Sequence, residues 1–77
     1  MRKITEISIN KNEKNVTMFL YYNNDICDYS FNNYSSVEEA LDSVRSIVDP
    51  YFPVVASQYR LVEIKGGKIM SDGIFNL

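Results

Sequence analysis

The residues that could take part in chemistry are one thiol, several carboxylates and two lysines beside a double glycine. Cys27 is the only cysteine, and the chain contains no histidine. A thiol nucleophile needs an adjacent base, which here would have to be a lysine or a carboxylate. Because Cys27 alternates with Asp28 in an apolar segment, we interpret it as a small core residue. The sequence therefore predicts no catalytic residues, and we expect the protein not to be an enzyme.

Carboxylates cluster in the middle of the chain, at Asp25 and Asp28 and again at Glu38, Glu39 and Asp42. Carboxylate oxygens can bind a hard cation, but Asp25 and Asp28 lack the spacing of a calcium loop. No other motif converges on the second group, so we predict neither a metal site nor a cofactor. Two interpretations of the second group stay open, namely a solvated helix face and an acidic patch that binds a partner.

The net charge of −2 conceals an uneven distribution. Residues 20–56 carry six acidic side chains and one basic side chain, whereas both ends of the chain are mildly basic. Because non-specific nucleic-acid binding needs a basic footprint, direct contact with nucleic acid is not expected. An acidic middle suits docking onto the basic surface of a larger protein.

Lys65 and Lys68 flank Gly66-Gly67, which could suggest a phosphate-binding loop. The segment lacks the spacing of a P-loop and precedes a strand-like run rather than a helix. The double glycine is instead typical of a two-residue hairpin loop. This hairpin would place Ile64 opposite Ile69.

Tyrosine is abundant, with six residues in the chain. Tyrosine is enriched at protein interfaces, because it combines rigid contact area with a polar tip. It also suits β-strands, so part of this content is structural. We expect Tyr34, and either Tyr21 or Tyr22, to be exposed. Stacking of single-stranded bases on these rings would need a basic groove, which the charge distribution does not favour.

A helix is predicted over residues 36–48. Ser36 and Glu39 have the spacing of a capping box, in which the serine caps the helix and the glutamate reaches back. The apolar residues recur at helical spacing, at Val37, Leu41, Val44 and Val48. Asp49-Pro50 would end the helix, because proline cannot continue its hydrogen bonds.

Strands are predicted at residues 3–10, 16–22, 26–31 and 58–65, and from residue 68 onward. The expected fold is α+β, with a single helix packed on a five-stranded antiparallel sheet in the order β-β-β-α-β-β. The second strand is apolar on both faces, with Phe19 and Tyr21 on one of them. Because one helix covers one face of a sheet, Phe19 and Tyr21 should be lightly buried or in contact with a partner.

The length of 77 residues predicts a single domain spanning residues 1–77. No apolar segment follows Arg2-Lys3, so a signal peptide is not expected. The longest apolar run, Met18 to Tyr22, is far too short to span a membrane. A single unpaired cysteine fits a reducing compartment. We therefore expect a cytoplasmic protein.

The segment Ser35 to Leu41, set between a strand meander and a hairpin from Tyr59 to Ile69, resembles a layout found in small phage-encoded proteins. Among these are anti-defence proteins such as some anti-CRISPR proteins. The resemblance covers most of the chain as a pattern and depends on no specific motif, so it assigns no functional residue. It implies an inhibitor that binds a host protein through its surface.

The sequence favours a non-enzymatic binding protein, derived from a phage or mobile element, that inhibits a larger host protein such as a nucleic-acid-binding defence complex. It would act in the host cytoplasm through an acidic, tyrosine-rich surface. The alternative is an oligomeric module, such as a homodimer, that sequesters or senses a small ligand, since the core is small and the second strand is two-faced. The predicted partner-binding residues are Phe19, Tyr21, Asp25, Asp28, Tyr34, Glu38, Glu39 and Asp42.

Overall fold

A computed structural model describes residues 3–22, 27–46 and 53–77, and for residues 27–33 it describes the backbone. The predicted helix end at Asp49-Pro50 lies outside the described residues. The elements, in chain order, are β1 (Ile4–Asn12), β2 (Asn15–Tyr22), β3 (Cys27–Tyr34), α1 (Val37–Arg45), β4 (Gln58–Lys65) and β5 (Lys68–Asn76).

The sheet is mixed, and its strands lie in the order β3-β2-β1-β4-β5. β1 pairs antiparallel with β2 but parallel with β4, where Ser8 lies opposite Arg60 and Ile9 opposite Leu61. The prediction of a five-stranded antiparallel sheet is therefore wrong. Parallel neighbours need a long crossover connection, and the segment between β3 and β4, which contains α1, supplies it.

The chain is already paired with the start of β1 just before β4 begins. Val54 forms a parallel bridge with Ile4. The Ile4 N–H donates to the Pro53 carbonyl at 2.9 Å, and the Val55 N–H donates to the Ile4 carbonyl at 3.0 Å. These bonds hold the returning chain beside the start of β1, so β4 follows in the same direction as β1.

The core lies between α1 and the centre of the sheet. Along β2 the side chains alternate as predicted, with Val16, Met18, Leu20 and Tyr22 buried and Phe19 and Tyr21 only partly so. The helix contributes Ala40, Leu41 and Val44, and its main contacts are with β2 and β3. The full set of buried apolar residues is Ile4, Ile7, Ile9, Val16, Met18, Leu20, Tyr22, Ala40, Leu41 and Val44.

The helix begins where the sequence predicts, because Ser36 has extended backbone angles and its hydroxyl accepts the Glu39 N–H at 3.1 Å. The reciprocal contact differs from a standard capping box, since the Glu39 carboxylate reaches the N–H of Ser35 rather than that of Ser36. The helix ends at Arg45, before the predicted residue 48. Ser46 caps this end, and its N–H and hydroxyl both donate to the Asp42 carbonyl, at 3.1 and 2.8 Å.

The hairpin between β4 and β5 turns at Gly66-Gly67, as predicted. Both glycines have positive φ, 59° and 76°, which is the backbone conformation that a two-residue hairpin turn requires. Ile64 lies opposite Ile69, also as predicted. The register then shifts between Glu63 and Ile64, so that Arg60 lies opposite Ile74.

Among the residues that the structure describes, no helix is both long enough and apolar enough to cross a membrane.

Candidate functional site

In the part of the chain that the structure describes, one face of the sheet carries no helix, and we call it the helix-free face. It is defined by strand alternation and by the register of β1, β2, β4 and β5. Ser8 lies between Phe19 on one side and Arg60 on the other, and Glu6 lies opposite Tyr21. The members of this face are Glu6, Ser8, Asn10, Phe19, Tyr21, Arg60, Val62, Asp72 and Ile74.

Phe19 and Tyr21 are both partly buried on this face. Their burial comes from neighbouring side chains within the sheet, since α1 packs on the opposite face. This agrees with the prediction that both are lightly buried. The two rings offer rigid apolar area, and the Tyr21 hydroxyl adds a polar tip, which is the composition of many protein-binding surfaces.

An ion pair lies beside these rings on the helix-free face. The Arg60 Nε–H donates to Asp72 Oδ1 at 2.9 Å, and a second nitrogen of the guanidinium donates to Oδ2. These hydrogen bonds lower the pKa of Asp72, and they raise the pKa of Arg60, which the negative charge of Glu6 also raises. The pair is exposed, so it contributes little to folding, but its two charges offset each other on this face.

The strand β5 carries most of the exposed large apolar side chains of the described residues. Ile69 is 67% exposed, Met70 65%, Ile74 61% and Phe75 49%. The Phe75 ring stacks on Tyr59 with centroids 5.7 Å apart and lies against Gly73, where a Cβ would be 3.2 Å from the ring. These side chains make β5 an apolar edge of the sheet, and we call it the β5 edge.

The predicted acidic group lies on the exposed side of α1, away from the helix-free face. Arg45 interacts with two of its three members, at 3.2 Å from Asp42 and 3.7 Å from Glu38. The arginine therefore offsets part of the negative charge that an acidic docking patch would need. The sequence pattern placed Glu38 and Asp42 on one flank correctly, but it gave no role to Arg45.

The third member, Glu39, has a structural contact. Its carboxylate accepts the Ser35 N–H at 2.9 Å and also the Ser35 hydroxyl. The hydroxyl bond is the larger cause and the backbone bond the smaller cause of a lowered pKa for Glu39. Glu39 thus stabilises the helix N-terminus as an anion, and we do not assign it to partner binding.

The lowered pKa of Glu39 predicts a pH-dependent contribution to stability. Its stabilising effect is complete above the ordinary pKa of 4.5 and is lost as the pH falls through the lower folded-state pKa. Glu39→Gln should therefore destabilise the fold more at about pH 7 than at about pH 3, as measured by urea unfolding. Ser35→Ala, which removes only the hydroxyl donor, should weaken this pH dependence. An equal effect of Glu39→Gln at both pH values would contradict the assignment.

The Tyr34 side chain, at the end of β3, forms a hydrogen bond with α1. Its hydroxyl donates to Ser43 Oγ at 3.0 Å, and its ring packs against the core. Tyr34 lies opposite Val16, which is buried on the helix side of β2. Tyr34 is therefore partly buried rather than exposed, and its hydroxyl is engaged, while its part in partner binding stays a prediction.

The predicted partner-binding residues do not form one surface. Phe19 and Tyr21 lie on the helix-free face, whereas Glu38 and Asp42 lie on the helix at the other side of the sheet. Asp25 lies outside the described residues, and so does the side chain of Asp28.

A surface groove lies at the ends of the two hairpins and has a volume of about 870 Å³. Its charged side chains alternate in sign, with Lys11, Lys14 and Lys65 beside Glu13 and Glu63. This mixture does not select one charge of ligand. Within the described ranges, no three His, Cys, Asp or Glu side chains converge to hold a metal ion.

Sequence reasoning missed the β5 edge and the ion pair between Arg60 and Asp72. The signal for the edge was present, because two apolar pairs in β5, at residues 69–70 and 74–75, break the alternation of a half-buried strand. The ion pair depends on the register shift in the hairpin, which no local pattern predicts. Comparison of the chain with family models, with curated proteins and with solved structures finds no match.

Proposed function

We propose that this chain is a non-enzymatic binding module that docks onto a larger protein through its helix-free face. The observation that carries the proposal is the pair of partly buried aromatic rings, Phe19 and Tyr21, on a sheet face without a helix. Rigid aromatic side chains that are partly exposed in the free protein are typical anchors of protein interfaces.

The surroundings of these rings support a protein partner. Arg60 and Asp72 neutralise each other beside the rings, and Ser8 and Asn10 add polar groups between apolar ones. A mixed surface of aromatic anchors with a polar surround is the usual composition of a protein–protein interface. The partner surface that fits it carries apolar side chains at its centre and polar groups at its rim.

An inhibitory role against a basic, nucleic-acid-binding host protein is the more specific form of this proposal. The exposed carboxylates of Glu38 and Asp42 support it, and so does the resemblance of the sequence layout to that of small phage-encoded proteins. In that form the helix would supply charge steering, while the helix-free face would supply most of the affinity. A cytoplasmic location belongs to the same proposal and is supported by the single cysteine.

The alternative of an oligomeric module that holds a small ligand stays a prediction. The groove at the hairpin ends mixes lysine and glutamate side chains and favours no ligand class. We therefore give this alternative no assigned site.

The test compares two folded variants with the unchanged chain as bait in its native host. Phe19→Thr combined with Tyr21→Thr keeps strand-forming residues but removes the rings, whereas Glu38→Lys combined with Asp42→Lys reverses the helix charge. If the rings anchor the partner, the first variant should weaken binding about thirtyfold, which corresponds to ~2 kcal/mol of hot-spot energy. The second variant should retain most of the affinity, because the helix-free face is proposed to supply most of it.

The helix variant is the matched control, and both variants must keep the circular dichroism of the unchanged chain. Partner capture that survives loss of both rings contradicts docking through the helix-free face. Capture that is lost only on charge reversal assigns the interface to the helix instead.

A further inference from the structure

A notch opens in the sheet between β1 and the chain that returns beside it, and its volume is about 320 Å³. The two backbones pair at Ile4 and Val54, and they pair again from Ser8 and Arg60 onward. Between these two pairings β1 has three residues whereas the returning chain has five, so the backbones separate there. The notch is lined by residues 5–7, residues 55–60 and Ile74.

Glu6 lies where the notch meets the helix-free face. The register of β1 shifts between Ile4 and Glu6, which leaves Glu6 opposite Tyr21 and beside it on the same face. Bulges of this kind often redirect a side chain next to a functional site. Glu6 is exposed, and no described residue forms a hydrogen bond or an ion pair with its carboxylate. The carboxylate is therefore available to a ligand.

The charges around the notch favour a cation. Glu6 and Arg60 are the two charged side chains of the lining. Asp72 offsets the charge of Arg60, because it accepts two hydrogen bonds from the guanidinium. These three side chains together leave one net negative charge at the notch, and the Glu6 carboxylate is the member without a hydrogen-bonded partner among the described residues.

The neighbours of Glu6 favour a guanidinium over an ammonium group. A guanidinium is flat, so it can donate two hydrogen bonds to a carboxylate and also stack on an aromatic ring such as that of Tyr21. The ammonium group of lysine is a compact charge that lacks this geometry. The methylene stem of an arginine suits the apolar part of the lining, which Ala56 and Ile74 supply. Arginine is also enriched at protein interfaces.

From this combination we infer that the notch receives an arginine side chain of the partner, with the guanidinium on the Glu6 carboxylate and against the Tyr21 ring. The arginine comes from the protein proposed to dock on the helix-free face, so its source rests on the proposed function. The chemical group that this partner presents beside the rings is thereby specified, and it agrees with a partner that has a basic surface.

An NMR titration of the isotope-labelled full chain tests the notch without the partner. The probe is the tripeptide Gly-Arg-Gly, acetylated and amidated so that the side chain carries its only charge. It should bind saturably at about millimolar concentration and shift the backbone N–H signals of residues 5–7 and 57–59. A peptide with citrulline, which has nearly the same shape but no charge, should not bind. A peptide with lysine should bind more weakly than the arginine peptide.

Three variants locate the contact. Glu6→Gln should weaken binding of the arginine peptide about fivefold, because it removes the carboxylate charge. Tyr21→Leu should weaken it about threefold, because it removes the ring. Glu13→Gln, which removes the same charge from an exposed hairpin turn, is the matched control and should leave binding unchanged. Binding that does not saturate, that the citrulline peptide equals, or that either Glu6→Gln or Tyr21→Leu leaves unchanged overturns the inference.

The arginine site and the docking of a larger protein fail separately. Absence of peptide binding, together with partner capture that is lost when both rings are removed, overturns the arginine site and keeps the docking. Peptide binding at the notch, together with partner capture that survives removal of both rings, supports the arginine site and contradicts the docking.

Discussion

Replacing Leu41 by alanine is expected to lower the free energy of unfolding by about 2–5 kcal/mol. Leu41 is 2% exposed and is one of three helix residues that reach the core. Its loss removes apolar contact and leaves a cavity between α1 and β2. A domain of this size has a total stability of roughly 4–12 kcal/mol, so this single change removes a large share of it.

The measurement is urea unfolding followed by circular dichroism, with Leu41→Met as the matched control. Methionine conserves most of the volume and should cost less than about 1.5 kcal/mol. The slope of the transition should stay the same for the methionine variant, because the surface exposed on unfolding does not change. A cost below about 1 kcal/mol for Leu41→Ala would mean that α1 is not packed on the sheet as described.

The features that sequence predicted correctly depend on interactions within a few residues. The Ser36 cap needs one hydroxyl and one N–H three residues later, and the spacing of Ser36 and Glu39 encodes both. The Gly66-Gly67 turn needs positive φ at two positions, and glycine adopts it without steric cost. Alternation along β2 likewise predicted which side chains face the core.

The direction of β4 could not be predicted in this way. The alternation of apolar side chains is the same for a strand that runs parallel or antiparallel to its neighbour. The direction depends on where the chain returns to the sheet, and Val54 brings it back beside Ile4 at the start of β1. This contact joins residues far apart in the sequence, so no local pattern predicts it.

The candidate site could be predicted only in part, because some of its features depend on contacts between distant residues. Phe19 and Tyr21 follow from strand alternation, which is local. The engagement of Tyr34 by Ser43 and the sharing of Arg45 by two carboxylates depend on how α1 sits on the sheet. No local pattern in the sequence predicts these contacts of Tyr34, Glu38 and Asp42.

The exposure of β5 follows from the dimensions of the elements. A helix is about 10 Å wide and neighbouring strands lie about 4.8 Å apart, so one helix covers roughly two strands. α1 makes its main contacts with β2 and β3 at one side of the sheet. The hairpin of β4 and β5 at the other side therefore keeps apolar side chains in solvent.

Because α1 covers only one side of the sheet, the same substitution should have very different effects at two isoleucines. Ile9 is fully buried at the centre of the sheet, between Met18 of β2 and Leu61 of β4. Ile9→Ala should lower the free energy of unfolding by about 2–5 kcal/mol, and Ile9→Val by about 0.5–1.5 kcal/mol. Ile69 lies on β5 and is largely exposed, so Ile69→Ala should cost less than about 1 kcal/mol.

Urea unfolding followed by circular dichroism measures both costs. Ile9→Ala should show the large cost, because it leaves a cavity at the centre of the sheet. Ile69→Ala should show the small cost, because its side chain is mostly in solvent in the folded protein. Equal costs for the two variants would mean that another part of the chain covers β5, which would contradict the exposure described above.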